Sequence, residues 1–461
     1  VLQQVERLCV YVPPVSAPSR PGPSELEQFP LALIHQQLPD GTTVVGQARY
    51  VGADYSGRFG NYFAHSLVTT TPEVDLGDLL PIQLWRSPLW RTTECETTEL
   101  PPADPPTRSS ALELPQLASF LSERDRSKHL ADFVTAVEQA LSTRRRVVIV
   151  DSSDSVASWI ATACLVLPRA LALRLTFNTY VKSPYQTDAL VVGTTADSDF
   201  GFAPHEIRHT VFLFDFLGAR FTPIEQPSLL GRLAAALLRA GRLDHLAGYS
   251  AFATAVEPEL PLAEAAVALA TFCRLVGIGE PDLDSAQIAS WCAPRLARIP
   301  SERVALLCEQ LLGESAGPPE VSAALTIMQA AVAGKVSAQS QAAVAAATLG
   351  WTLRAALRKV DTQVLSALAD ALAPLPELPQ AAQRIAIDWP ELLRSTQEPE
   401  RLLLYVRLGA CCGRLGDLAD TLTAIGEQVV GPGLAAEPVQ RLVRLLAGTA
   451  SGRPLLHGIA A

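Results

Sequence analysis

The chain is poor in charge, in lysine, in methionine and in long apolar runs, and each shortage closes off a class of function. Charged residues make up 18% of the 461 positions against 48% hydrophobic, a balance that belongs to folded globular proteins and excludes disorder. A formal net charge of -10 and a pI near 5.3 leave no basic field to recruit nucleic acid or an anionic membrane, and the short cluster Arg144, Arg145 and Arg146 does not reverse that. No apolar run reaches the roughly 18 residues of a membrane span; the longest candidate, 160–173, is interrupted by Pro168 and Arg169. A basic start followed by an apolar core and a cleavage site is also missing. These absences predict a cytoplasmic chain with neither nucleic acid nor membrane as partner.

Neither G-x-x-x-x-G-K-[ST] nor G-x-G-x-x-G occurs, so no glycine loop is available to wrap a phosphate closely, and nucleotide hydrolysis by this chain is discounted. The eight cysteines form no C-x-x-C pair and sit in apolar segments as small hydrophobes, which predicts a reducing compartment. Met328 is the single methionine. Val1 is therefore not a natural start, and an N-terminal piece is expected to precede it.

What is present divides into three parts, since this length calls for several cores. Residues 1–105 read as a strand-rich domain, N-terminally incomplete. Segments 31–37 and 43–51 flank Leu38, Pro39, Asp40 and Gly41, a tight-turn sequence, and predict a hairpin. A third strand follows over 61–68, where alternation puts Phe63, His65 and Leu67 on one face and Tyr62, Ala64 and Ser66 on the other. Four prolines within 101–110 exclude helix or central strand and mark a boundary. Residues 111–222 alternate helix and strand, with helical spacing from Leu130 to Leu141, a buried strand at 146–150, a helix from about 155, and strands at 175–180, 189–193 and 210–216. Residues 223–461 carry Ala/Leu stripes punctuated by Gly or Pro, as in an array of helices, with 365–372 and 402–408 apolar enough to be packed on both sides. The fold class is α+β: a strand-rich N-terminal domain, a small α/β middle domain and an all-α C-terminal half.

The stretch from Gly57 to Trp90 concentrates costly residue types. Arg58, Asn61 and His65 form its polar group. They fit either an acid/base site, with His65 as the proton carrier, or a buried network that pins a loop, with Asp54 within reach of Arg58. Trp85, Arg86 and Trp90 fit either a cation-π surface for a partner or the closing edge of a small core. Asp151, Ser153 and Ser155 have the D-x-S-x-S spacing of a divalent-cation loop, and equally the chemistry of a strand end followed by a helix cap. His205, Glu206 and His209 spell H-E-x-x-H, the zinc-hydrolase pattern, although a strand is expected immediately after His209 and no third ligand follows at a recognisable spacing. Asp215, within VFLFDFLG, is expected at a strand end, bonded to backbone.

GRFGNYFAH followed by LWRSPLW resembles the N-terminal domain of bacterial GTPase-associated protein 1, in which G-R-x-G-N-x-F-A-H precedes L-W-x-S-P-x-W. The segment after Arg146, from VVIVDSSDSVASW onward to VVGT, is similar to that family's middle domain. The resemblance is specific over about 50–90 and 146–195 and compositional beyond 223. It implies a non-enzymatic adaptor or regulator, without cofactor, that works with a separately encoded nearby GTPase and other components in bacterial conflict or antiviral defence. The resemblance implies an extra strand region at the start of related proteins, so the extreme N-terminus is where a departure from the family pattern is expected. Metal-dependent hydrolysis through His205, Glu206 and His209, or acid/base chemistry at His65, is the alternative.

Overall fold

The computed structural model describes residues 1–424 except 19, 55, 57, 94–104, 144, 202–209, 279–284, 312–317, 332, 334–336, 358–361, 374–387, 397, 413, 415–419 and 422–423. By internal contacts the chain divides into two compact units, Val1–Leu269 and Ala270–Ala461.

In the first unit, β1 (Ala32–Gln37) and β2 (Thr43–Ala53) form the expected hairpin. Gly41 supplies a φ of 86°, a value that side chains resist, and the Leu38 N–H donates across the turn to Thr42 O at 2.8 Å. Asp40 Oδ1 accepts the Thr42 N–H at 2.9 Å. Strand β3 (Phe59–Thr69) runs antiparallel to β2, with bulges between Tyr50 and Ala53. Its Tyr62 and Ala64 pack against a core containing Val5, Cys9, Tyr11 and Tyr50, so both faces of β3 are half-buried.

The α/β segment adds β4 (Arg146–Val150), β5 (Phe177–Asn178), β6 (Val191–Thr194), β7 (Val211–Asp215) and β8 (Arg220–Phe221). Strand β4 is parallel to β6 and β7, and its Val147 to Val150 are buried, as an apolar run covered on both faces requires. The expected strand at 175–180 shrinks to two residues. Thr179 Oγ1 accepts the Leu33 N–H at 2.7 Å and donates to Leu31 O at 3.0 Å, and this side chain replaces ladder bonds.

All eight strands belong to one sheet, in the order β3-β2-β1-β5-β6-β4-β7-β8. Strand β1 pairs with β5, His35 opposite Phe177. The proline-rich 101–110 therefore separates two sequence segments whose strands share one sheet. Helix Leu229–Arg239 packs on helix Leu130–Thr143, and a Cβ at Gly231 would lie 2.4 Å from Ala131 O. Only glycine permits so close an approach, and the Ser228 N–H to Thr135 Oγ1 bond of 2.9 Å fastens the junction.

Beneath the sheet Phe133, Trp159 and Phe214 interlock, with centroids 4.8 Å apart for Phe133 and Trp159 and 5.4 Å for Phe133 and Phe214. Such pairs add about 0.5–1.5 kcal/mol each beyond burial.

The second unit is helical where described. Helices Ser285–Cys292, Ser301–Leu311, Pro318–Ala330, Ala338–Leu357, Thr362–Leu372 and Pro399–Cys411 bury Ile288, Leu307, Ile327, Leu349, Leu365 and Leu408. Leu402, Leu404, Tyr405, Val406 and Leu408 are all buried, which at 100° per residue covers most of the last helix's circumference. Strand-rich and helical parts together make the chain an α+β protein.

Candidate functional site

The sequence LWRSPLW folds into a tight corner. A 3-10 turn at Pro81–Leu84 delivers Trp85, and Arg86 takes a left-handed φ of 56°. Ser87 Oγ donates to Thr107 O at 2.6 Å and Trp90 Nε1 donates to Leu84 O at 2.6 Å. Both indoles are in the core, so the tryptophans close a packed edge, and only Arg86 of this trio remains at the surface.

The corner is fastened to the start of helix Ser153–Val166. Trp85 Nε1 donates to Asp154 Oδ1 at 3.1 Å, and Arg86 reaches the same carboxylate in a two-pronged grip, Nε to Oδ1 at 2.7 Å and Nη2 to Oδ2 at 2.9 Å. Both partners of this ion pair are about half exposed, 47% and 57%. Water screens the charges, and the pair contributes less than about 1 kcal/mol. Two motifs that stand apart in the sequence, LWRSPLW and DSSDS, thus meet at one carboxylate.

Every side chain of the DSSDS loop meets a protein group, and only the buried Asp151 Oδ2 among their described contacts accepts no hydrogen bond. Ser152 caps the helix, its Oγ accepting the Ser155 N–H at 3.2 Å, while Ser153 Oγ accepts the Leu31 N–H at 3.2 Å. Asp151 Oδ1 accepts the Ser152 N–H at 2.7 Å. Its other oxygen lies 3.7 Å from Arg126 Nη2, and the same nitrogen donates to Ser155 Oγ at 3.3 Å. Arg126 and Asp151 are both about 95% buried, and the guanidinium also lies 4.1 Å from the Phe120 ring centroid. A guanidinium therefore stands where the cation-loop reading puts a divalent ion, which corrects that reading. No group of three metal-ligating side chains occurs among the described residues. His205, Glu206 and His209 lie outside them.

Arg58, Asn61 and His65 are not gathered into one group. Asp54 Oδ1 accepts the Ser56 N–H at 2.8 Å and the Arg58 N–H at 2.9 Å, so the β2–β3 connection is fixed through backbone amides. The side chains of Arg58 and Asn61 are exposed, which departs from a buried network. His65 lies four residues beyond Asn61, about 13 Å along a strand. Its ring meets Trp90 edge-on at 5.5 Å, and Nδ1 accepts the Arg91 N–H at 3.1 Å. Accepting at Nδ1 requires the neutral tautomer protonated at Nε2. Burial, helped by the Arg91 charge, lowers the His65 pKa. Asp215 ends β7 as expected, accepting the Gly218 N–H at 2.7 Å and pairing with Arg220 at 2.7 Å.

Sequence reasoning missed Arg126, which lies in an ordinary charged stretch, and Asp154, inside a motif read for Asp151 instead. Cys9, Cys164, Cys273, Cys292, Cys308 and Cys412 are buried, and burial pushes the thiols of Cys164, Cys292 and Cys308 up to about 12. No helix among the described residues is long and apolar enough to cross a membrane.

Two adjoining segments match known domains: residues 1–106 the GTPase-associated protein 1 N-terminal domain type 2, and residues 117–218 the GTPase-associated protein 1 middle domain. Residues 1–106 and 117–218 thus carry the N-terminal and middle domains of the GTPase-associated protein 1 family. The chain is also 30% identical over 169 residues to SaeB of Mycolicibacterium smegmatis strain ATCC 700084 / mc(2)155, a protein named for a proposed role in ESX-1 scaffolding and assembly. SaeB of strain MKD8 matches at 30% over 171 residues. Each match covers 35% of this chain and 20% of SaeB, so the similarity spans about a fifth of those relatives. No solved structure matches.

Proposed function

We propose that this chain is a non-enzymatic adaptor that engages a separately encoded GTPase, with the eight-stranded unit supplying the contact surface. The observation that carries the reading is the pair of GTPase-associated protein 1 domains joined in one continuous sheet. The SaeB similarity, with its scaffolding and assembly name, supports the same class of role.

Arg58, Phe59 and Asn61 are the residues we assign to the contact. They are exposed at the start of β3, which ends the strand order, and Phe59 is 51% exposed. An aromatic flanked by Arg and Asn has the composition of an interface centre. Arg86 adds a half-exposed cation on the same unit. Trp85, Trp90 and His65 support this surface from inside. Nearby encoding of the GTPase and a role in bacterial conflict or antiviral defence extend the proposal.

A pull-down of the full chain against the neighbouring GTPase, loaded with GDP or with a non-hydrolysable GTP analogue, tests it. Retention in at least one nucleotide state, weakened at least tenfold by Arg58→Glu with Phe59→Ser, is expected. Failure to bind in either state overturns the reading.

A further inference from the structure

A cavity of about 1090 Å³ opens in the first unit, at the amino ends of the parallel strands. Gln36 at the end of β1, Arg146 at the start of β4, and Thr176 and Leu190 just before β5 and β6 contribute to its wall. Helix Arg169–Arg174 brings Leu171 and Arg174, and the segment at 259–262 brings Glu259 and Leu260. Ligands of open α/β sheets usually sit at the opposite, carboxyl ends. There, the Arg126 and Asp151 pair and the Ser152 cap fill the loop after β4.

The wall joins apolar surface to a few convergent polar groups, the usual composition of a small-molecule site. Leu141, Leu171, Leu190 and Leu260 supply the apolar part. Gln36 is 6% exposed, and its amide nitrogen is buried without a hydrogen-bond partner among the described residues, a cost that folded proteins seldom leave standing. Arg174 is exposed and enters no hydrogen bond or ion pair with described residues. Arg146 is held in place by Pro184 O at 3.1 Å and by Asp188 at 3.8 Å.

Charge sets the ligand class. Arg146 and Arg174 are balanced in the lining by Asp188 and Glu259. A doubly charged phosphate would leave this balanced lining two charges negative, whereas one carboxylate can take the fork of Arg174 and leaves it only one charge negative. We infer that this cavity binds a small monocarboxylate with an apolar body, its carboxylate on Arg174 and Gln36 and its body on the leucine wall. The inference is independent of the GTPase contact, which lies on other residues.

Isothermal titration of the full chain with decanoate tests it, with decanol and decyl phosphate as the neutral and doubly charged counterparts. Saturable one-to-one binding of decanoate is expected, at least tenfold tighter than either counterpart. Arg174→Leu and Gln36→Leu should each weaken it at least tenfold, and Ala170→Trp should abolish it by filling the space. Arg174 and Ala170 are not core residues, so those variants should keep the wild-type melting temperature and decide the matter even if Gln36→Leu fails to fold. Absence of saturable binding to the wild-type chain overturns the inference. So does decanol binding as tightly as decanoate, decyl phosphate binding more tightly, or an unchanged affinity in folded Arg174→Leu.

Discussion

The corner at residues 81–91 and the β2–β3 connection before β3 belong to one stretch rich in costly residues, yet they end in opposite situations. In the corner, the polar atoms of Trp85, Ser87 and Trp90 find partners within 3.1 Å, and both indoles are in the core. At the connection, Asp54 satisfies backbone amides while the Arg58 and Asn61 side chains face water. Polar and aromatic residues in one motif can thus serve two ends: a buried donor with a single acceptor holds the fold, and an exposed one remains free to bind. The same division runs through the rest of the unit, where Arg126 and His35 lie on the buried side.

The largest effect is expected on that side. Arg126→Leu leaves the Asp151 carboxylate buried without its guanidinium and should cost about 3–5 kcal/mol, the usual consequence of orphaning a buried charge. Urea unfolding of the first unit measures it, and adding Asp151→Leu should recover much of the loss. Recovery of nothing would mean that Arg126 acts through its stack on Phe120 instead.

Next comes acid. His35 is fully buried, its ring nitrogen Nδ1 2.8 Å from Leu175 O, and burial lowers its pKa to about 4. The folded state therefore binds fewer protons than the unfolded one below the ordinary histidine value of about 6.5. Stability is complete above that pH and is lost as pH falls from about 6.5 towards 4, by roughly 3 kcal/mol for His35 at 1.36 kcal/mol per unit. Burial lowers His65 and His129 as well, in the same direction. Unfolding measured between pH 7 and 4 should show the loss, and His35→Phe should flatten it; an equally steep profile in that variant removes His35 from the account.

Between buried and exposed stands Gly231→Val, which forces a side chain against Ala131 O and should cost about 1–3 kcal/mol by overpacking. Its melting temperature would show whether the Leu229–Arg239 helix belongs to the first unit energetically. At the boundary, Asp154→Ala removes the shared acceptor of Trp85 and Arg86, at about 1 kcal/mol. The smallest effects belong to the exposed end: Arg58→Ala and Asn61→Ala should stay within about 0.5 kcal/mol of wild type by thermal unfolding. A loss above 1 kcal/mol for either would dissolve the contrast.

Much of the fold was legible beforehand because it rests on local chemistry. Pro39, Asp40 and Gly41 specify a turn without any tertiary help, and the unbroken apolar run at 147–150 can only be a strand covered on both faces. The helix begins at Ser153, with Ser152 as cap, two residues before the reading from apolar spacing. The site was less legible. Trp85 and Arg86 could be noticed by type, but their acceptor, Asp154, is 69 and 68 residues away, and no local pattern announces that distance. His65 could be placed on a face by alternation, while its neutral tautomer depends on the Arg91 N–H, 26 residues on.

By itself the sequence determined the turns, the caps, the alternation of helix and strand and the motifs that mark the family, since these depend on near neighbours and on backbone preferences. Only the tertiary structure decided that β1 pairs with β5 across the proline-rich stretch, that Arg126 stands where a metal ion was conceivable, and which costly side chains are buried. Those outcomes are set by contacts between residues far apart in the chain, where one hydrogen-bond partner or its absence converts the same residue from structural support into exposed surface.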